Sequence, residues 1–365
     1  KKKLILHIGC EKTGTRSIQH ALQTNRNRLI NKGFLYPESL GKQAHHLPVI
    51  AAKDEHITDN ESLHTLSKIG LPLQDFRQKL LEDLHKECRE KEPWHTIIVS
   101  SELIHSRLHT ESQINRFFTL FKGLVEEITI VIYLRRQDQL AVSRFSSILK
   151  DGHSQFDDIF ANIGAAAYPE LHHSQDVDDF KNYYNFQALI ERFKDHVSYE
   201  NIKLSLHPVH NDQSTAIKEF SRLSSVPYDL MLSSKPNLNS ALSAEAQYLI
   251  SLVNKSVKRF SSDGVRNPEV TNLHREIAKK FPGKKREIAR NEAQVFFDTF
   301  SESNEWVKKK FFPDQDSLFN MDFSMYPECT NSCPLSVKLE KESTIYIKKT
   351  SIIKYIGDKL QPNKY

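Results

Sequence analysis

Residues 4–22 read LILHIGCEKTGTRSIQHAL, and no other stretch constrains the fold of this chain as much. An apolar run over 4–8 ends at Gly9. Apolar residues then recur at helical spacing over 15–30, at Ile18, Ala21, Leu22 and Leu29. That is strand, glycine turn, helix. A strand without polar alternation must be covered on both faces, which happens in parallel sheets flanked by helices. Three more runs fit that role: TIIVSSE at 96–102, EITIVIYLRR at 127–136 and NIKLSLH at 201–207. A short strand is predicted after the Gly33 turn. Helical segments fall between them, over 50–92 (apolar at Phe76, Leu80, Leu81 and Leu84), 111–125, 138–150 and 180–195. The pattern predicts an α/β fold with a central parallel sheet.

The chain has 365 residues, enough for one large α/β domain with additions. We expect that domain over 1–324, with a mostly helical insertion at about 50–93 and a mainly helical part at about 209–324. Residues 325–365 read as an appendage or an arm for homo-oligomers. With 38% hydrophobic and 27% charged residues, the composition is that of a soluble protein. No apolar stretch nears the roughly 20 residues that span a bilayer. KKKLILHIGC is too short in its apolar part for a signal peptide, since Glu11 and Lys12 interrupt it. The net charge of +5 is mild, and no aromatic residues interleave with basic ones, so nucleic acid is not an expected partner. Four cysteines are too few for a disulfide scaffold, and the Cys329–Cys333 spacing lacks the neighbours of a zinc site.

The glycine turn carries the chemistry. A strand end, a glycine turn and a helix start gather backbone N–H groups around one point, where the helix dipole adds positive charge. Thr13, Thr15 and Ser17 add hydroxyls, and Lys12 adds a full charge. Gly9 and Gly14 keep the four-residue gap of a nucleoside-triphosphate loop, yet Lys12 stands two residues before Gly14 instead of after it. The neighbouring strands end in Ser100-Ser101-Glu102 and in Arg135-Arg136, not in a magnesium-holding aspartate. A pair of strand-end arginines is poor for holding a cation and good for holding a second phosphate. The expected ligand has two separated anionic groups and needs no metal.

These residues resemble the sulfotransferases that use 3′-phosphoadenosine-5′-phosphosulfate (PAPS). EKTGT resembles their 5′-phosphosulfate loop, and YLRRQDQLAVS resembles their 3′-phosphate motif, an arginine eight residues before a helical serine. HIG-x-x-KTGT, the NR…L…G-x-LYP phrase and F-x-x-SN-x-x-V are similar to bacterial and carbohydrate-modifying members. The resemblance implies a P-loop-type three-layer fold, with helical additions and the C-terminal appendage. It implies that Lys12 contacts the phosphosulfate and its bridging oxygen. Thr13, Gly14, Thr15, Arg16 and Ser17 would cradle the 5′-phosphate, and Arg135 and Ser143 would hold the 3′-phosphate. PAPS is then the co-substrate, adenosine 3′,5′-bisphosphate (PAP) the product, and the acceptor a hydroxyl, with carbohydrate preferred. Glu11 departs from the family's usual proline, and Arg16 from its usual threonine or serine. A cytoplasmic location is expected, with a lumenal catalytic domain of Golgi type as the alternative.

Transfer to an alcohol needs a base. Aligning V-S-S-E-L with the family's V-K-T-H-L places Glu102 at the histidine base. His46 in GKQAHHLP is the other candidate, with His45 and His105 behind it, while His7 reads as a packed strand residue. Arg136, the GKKRE segment at 283–287, and Asn237, Asn239 and Ser240 are further candidates for the site. Two rivals stay open at this level: a magnesium-dependent small-molecule kinase, and a binding module without turnover.

Overall fold

A computed structural model describes residues 1–10, 13–55, 57, 59–154, 183–207, 213–232, 242–261, 264–329 and 337–360. Among the described residues, five strands form one all-parallel sheet: β1 (Lys3–Gly9), β2 (Phe34–Leu35), β3 (Thr96–Ser100), β4 (Glu127–Leu134) and β5 (Ile202–Leu206). Their order is β2-β3-β1-β4-β5. The central apolar runs become β1, β3 and β4 because they are buried on both faces, whereas the edge strand β5 exposes Lys203. Leu4, Leu6 and Ile8 of β1 join Ile97, Val99, Ile130, Ile132 and Leu134 in the larger core. Ile5 joins Ile98, Val131 and Tyr133 in a smaller core on the other side. This period of two is the pleat itself, and burying each such side chain stabilises the fold by roughly 1.5–3 kcal/mol.

The helices follow in chain order: α1 (Thr15–Thr24), α2 (Arg26–Ile30), α3 (Leu47–Ala52), α4 (Asn60–Ile69), α5 (Leu73–Glu90), α6 (Leu103–Arg107), α7 (Glu111–Thr119) and α8 (Gln137–Lys150). Beyond them come α9 (Phe186–Glu191), α10 (Gln213–Ser224), α11 (Ala244–Ser256), α12 (Pro268–Lys280), α13 (Arg290–Asp298), α14 (Ser301–Phe311) and α15 (Val337–Leu360). Helices α1 and α10 cover the smaller core, through Ile18, Leu22, Ile217 and Phe220. Helices α3, α5, α7, α8 and α11 contribute to the larger one. Three layers result.

The expected insertion at 50–93 contains α4, α5 and the second half of α3. At its base, Lys53 pairs with Asp59 at 3.0 Å, and both side chains are at most 3% exposed. Asp59 also caps α4 by accepting from the Ser62 N–H at 3.0 Å, and Arg107 at the end of α6 approaches it at 3.9 Å. The segment after Leu318 runs back to the β4–α8 corner, where Phe319, Phe323 and Tyr326 are buried. Helix α15 lies along α11, with Leu339 and Tyr346 buried. Among the described residues, no helix is long and apolar enough to cross a membrane.

Strand order decides where a ligand can sit. The chain leaves β1 towards β2 and β3 on one side and later adds β4 and β5 on the other. The connections after β1 and β4 therefore diverge, opening a crevice at the carboxyl ends of these neighbours. In open α/β sheets that switch point is the usual ligand site.

Candidate active site

Both sequence motifs border this crevice. Gly9 is level with Tyr133 in the β1–β4 register, and the Cys10 N–H donates to the Tyr133 carbonyl at 3.2 Å. The two strands therefore end together, one running into the glycine turn and the other into Arg135. Glu11 and Lys12 lie outside the described residues. The rest of the turn is tightly specified. Gly14 adopts φ 86°, a left-handed conformation that favours glycine, and forms the N-cap of α1. A Cβ on Gly9 would stand 1.9 Å from Thr15 Oγ1, so only glycine lets the strand end approach the helix start. Thr13 Oγ1 donates to the Cys10 carbonyl at 2.6 Å and lies 3.5 Å from Thr15 Oγ1. Thr13, Thr15 and Ser17 are buried, and Arg16 is exposed. The first N–H groups of α1 precede its own hydrogen-bond ladder.

On the β4 side, Arg135 is half-buried and Ser143 lies on α8, also half-buried. Burial works against the Arg135 charge, while Tyr326 and Asp138 favour it. Lys285 of the GKKRE segment joins this side, its ammonium pushed down by burial and then by the neighbouring Arg135 guanidinium. The segment is anchored there: the Ala244 N–H donates to the Lys284 carbonyl at 2.9 Å, and Arg286 sits over the Phe145 ring of α8. Arg136 has a different fate. It is buried, clasps Asp138 through two bonds of 2.9 and 3.0 Å, and donates to the carbonyls of Asn320 and Asp322 at 2.7 Å each. Of the two arginines, Arg136 ties the C-terminal segment to the β4–α8 corner.

The β3 side gathers the candidate bases. Glu102 is the N-cap of α6 and half-buried. Its Oε2 accepts from Gln19 Nε2 of α1 at 2.8 Å, whereas Arg107 goes to Asp59. His46 is the N-cap of α3, with Nδ1 3.3 Å from Ser101 Oγ. Glu102 and His46 are thus both fastened to the end of β3. His45 is buried against Tyr36, with ring centroids 4.2 Å apart, and its Nδ1 accepts from the Ser100 N–H at 3.3 Å. Burial and Arg26 push it down to about 3, so it is neutral and structural near pH 7. His105 is likewise buried, pushed down to about 3 by burial and Arg192, and bonded to the Tyr183 carbonyl at 2.9 Å. His7 packs edge-on to Tyr133 and Phe220 and bonds Ser100 Oγ at 2.8 Å, with burial holding it at about 4. Asn237, Asn239, Ser240 and Cys333 lie outside the described residues.

Sequence reasoning missed Gln19 and Ser101 as partners of the candidate bases. Their one available signal was polarity at positions the patterns expect to be buried.

Among solved structures, the crystal structure of a sulfotransferase from Alicyclobacillus acidocaldarius is similar, at 14% identity and a TM-score of 0.38, covering 70% of this chain and 94% of that one. No family model matches the chain, and no curated protein matches it.

Proposed function

We propose that this protein is a sulfotransferase that moves the sulfuryl group of PAPS directly to an acceptor hydroxyl, with a carbohydrate as the acceptor. One observation carries the reading: a glycine turn with three buried hydroxyls and a strand-end arginine flank the same switch-point crevice. The donor set suits a ligand with two anionic ends. Thr13, Gly14, Thr15, Arg16 and Ser17 would hold the 5′-phosphate, with Arg135, Ser143 and Lys285 at the 3′-phosphate. Lys12, assigned by resemblance, would meet the bridging oxygen. Neighbouring strands lie about 4.8 Å apart, so the bases after β3 and Arg135 after β4 flank the loop from opposite sides, roughly 10 Å apart at the backbone. The acceptor then enters on the β3 side. Glu102 takes its proton as the acceptor oxygen bonds to sulfur and the sulfur–bridging-oxygen bond breaks, leaving PAP.

Titrating PAP by calorimetry tests the nucleotide half. Arg135→Ala should weaken binding by about 10- to 100-fold, the worth of one charged hydrogen-bonded contact; an unchanged Kd would remove Arg135 from the site. Glu102→Gln tests the base. It keeps an acceptor for Gln19 yet cannot take a proton, so kcat should fall on the order of a hundredfold. If His46→Gln shows that loss and Glu102→Gln does not, the proton goes to the histidine.

A further inference from the structure

Gln19 is a polar side chain on a buried helix face. It lies in the second turn of α1 and is 1% exposed, next to Ile18, Ala21 and Leu22 of the smaller core. An amide left unpaired in such a place would be costly. Its Nε2 is satisfied by one charged acceptor, Glu102 Oε2 at 2.8 Å.

Glu102 supplies the other half of the observation. A carboxylate at a helix N-cap commonly accepts from the first N–H groups of its own helix. Glu102 stands at the N-cap of α6, yet its side chain makes no capping bond there. The carboxylate is turned to α1 instead, the helix that starts at the glycine turn. Thr15 and Gln19 are four residues apart and both buried, so they share one face of α1. One helical turn, roughly 6 Å of rise, separates the hydroxyl at the loop from the amide on the candidate base.

A neutral amide suits this position. It fixes the direction of one carboxylate oxygen and leaves the other to receive a proton. A lysine or arginine in its place would add a full charge that favours the ionised carboxylate and opposes proton uptake. A base moved off its line to the acceptor loses rate more than binding, because the geometry of the reacting groups sets the barrier.

We infer that Gln19 is a positioning residue for the transfer: it aims the Glu102 carboxylate at the acceptor hydroxyl and, through α1, sets that aim relative to the nucleotide loop. The inference rests on the sulfotransferase reading with Glu102 as the base. The test is a double-mutant cycle on kcat, run alongside PAP calorimetry. Transfer of labelled sulfuryl groups from PAPS is followed to cellohexaose, chitohexaose or a galacturonate hexasaccharide, whichever the wild type modifies fastest. Gln19→Met keeps the length of the side chain and removes the donor. It should lower kcat about tenfold, with acceptor KM and PAP Kd unchanged. In a Glu102→Gln background the same change should lower kcat by less than about twofold, because the group it aims is gone. An equal loss in both backgrounds overturns the inference and leaves Gln19 a packing residue. So does an unchanged kcat in Gln19→Met, and so does weaker PAP binding, which would place its effect on the loop. Full kcat in Glu102→Gln alone removes the base and the role of Gln19 with it, while the sulfotransferase reading stands. Wild-type protein that binds no PAP and modifies none of the three saccharides sinks that reading itself. If a thermal melt shows that Gln19→Met does not fold, Gln19→Asn carries both comparisons, since its amide falls one methylene short of Glu102.

Discussion

Lys12→Ala is expected to lower kcat on the order of a thousandfold, the scale of removing one well-placed charge donor from a transition state. The expectation follows from where charge develops. As the sulfur–oxygen bond breaks, negative charge builds on the bridging oxygen of the departing nucleotide. On the proposed reading, Lys12, two residues ahead of Gly14, would meet that oxygen. A transferring sulfuryl group is less negative than a terminal phosphoryl group, so one ammonium can serve where lysine and magnesium act together in nucleoside triphosphatases. An interaction stronger in the transition state than in the bound substrate lowers kcat and kcat/KM together and barely moves KM. Lys12→Arg should recover little, because a planar guanidinium cannot reproduce a compact ammonium at this point. Single-turnover transfer of labelled sulfuryl groups measures the effect directly. Normal turnover in Lys12→Ala would remove the loop from the mechanism.

The sheet and both ends of the crevice were legible in the sequence for a local reason. Buried parallel strands are continuous apolar runs, and the loop and the Arg135–Ser143 spacing each lie within one strand-to-helix junction. The strand predictions at 96–102, 127–136 and 201–207 correspond to β3, β4 and β5. Less was legible where side chains meet across long separations. Gln19 reaches Glu102 across 83 positions and His46 reaches Ser101 across 55, so no window on the sequence contains either pair. Adjacent arginines at 135 and 136 look equivalent in a string of letters. Asp138 and two carbonyls 184 and 186 residues away separate them, by turning Arg136 inward. The same holds for GKKRE, whose anchoring needs partners far away in the chain: the Lys284 carbonyl accepts from the Ala244 N–H, and Arg286 sits over the Phe145 ring.

The largest expected effect on stability belongs to Asp59→Ala, at about 3–5 kcal/mol, the usual cost of breaking a buried ion pair by deleting one partner. Removing the carboxylate leaves the Lys53 ammonium buried without it and also deletes the α4 cap. Asp59→Asn separates the two contributions. Its amide oxygen can still accept from the Ser62 N–H, so it should be about 1 kcal/mol less damaging than alanine, the worth of an N-cap. Burial alone would raise the Asp59 pKa, but Lys53, Arg107 and the Ser62 bonds together hold it at about 2. Its stabilisation is therefore full above the ordinary carboxylate range and fades as pH falls towards about 2. His7, His45 and His105, held neutral by burial, act earlier. Their stabilisation is lost from about pH 6.5 downwards, where the unfolded chain binds protons that the folded one refuses. Both wild type and variant carry those histidines, so their contribution cancels in the difference. Urea unfolding of wild type and Asp59→Asn should show a constant gap from pH 7 to 5 that closes only below about pH 4. Because Asp59 links α3, which begins after His46, to α6, which begins after Glu102, the same substitution should also lower kcat. A stability gap near zero at pH 7 would mean that the pair's attraction only balances its desolvation, and that the spacing of the two candidate bases is set by the apolar core alone.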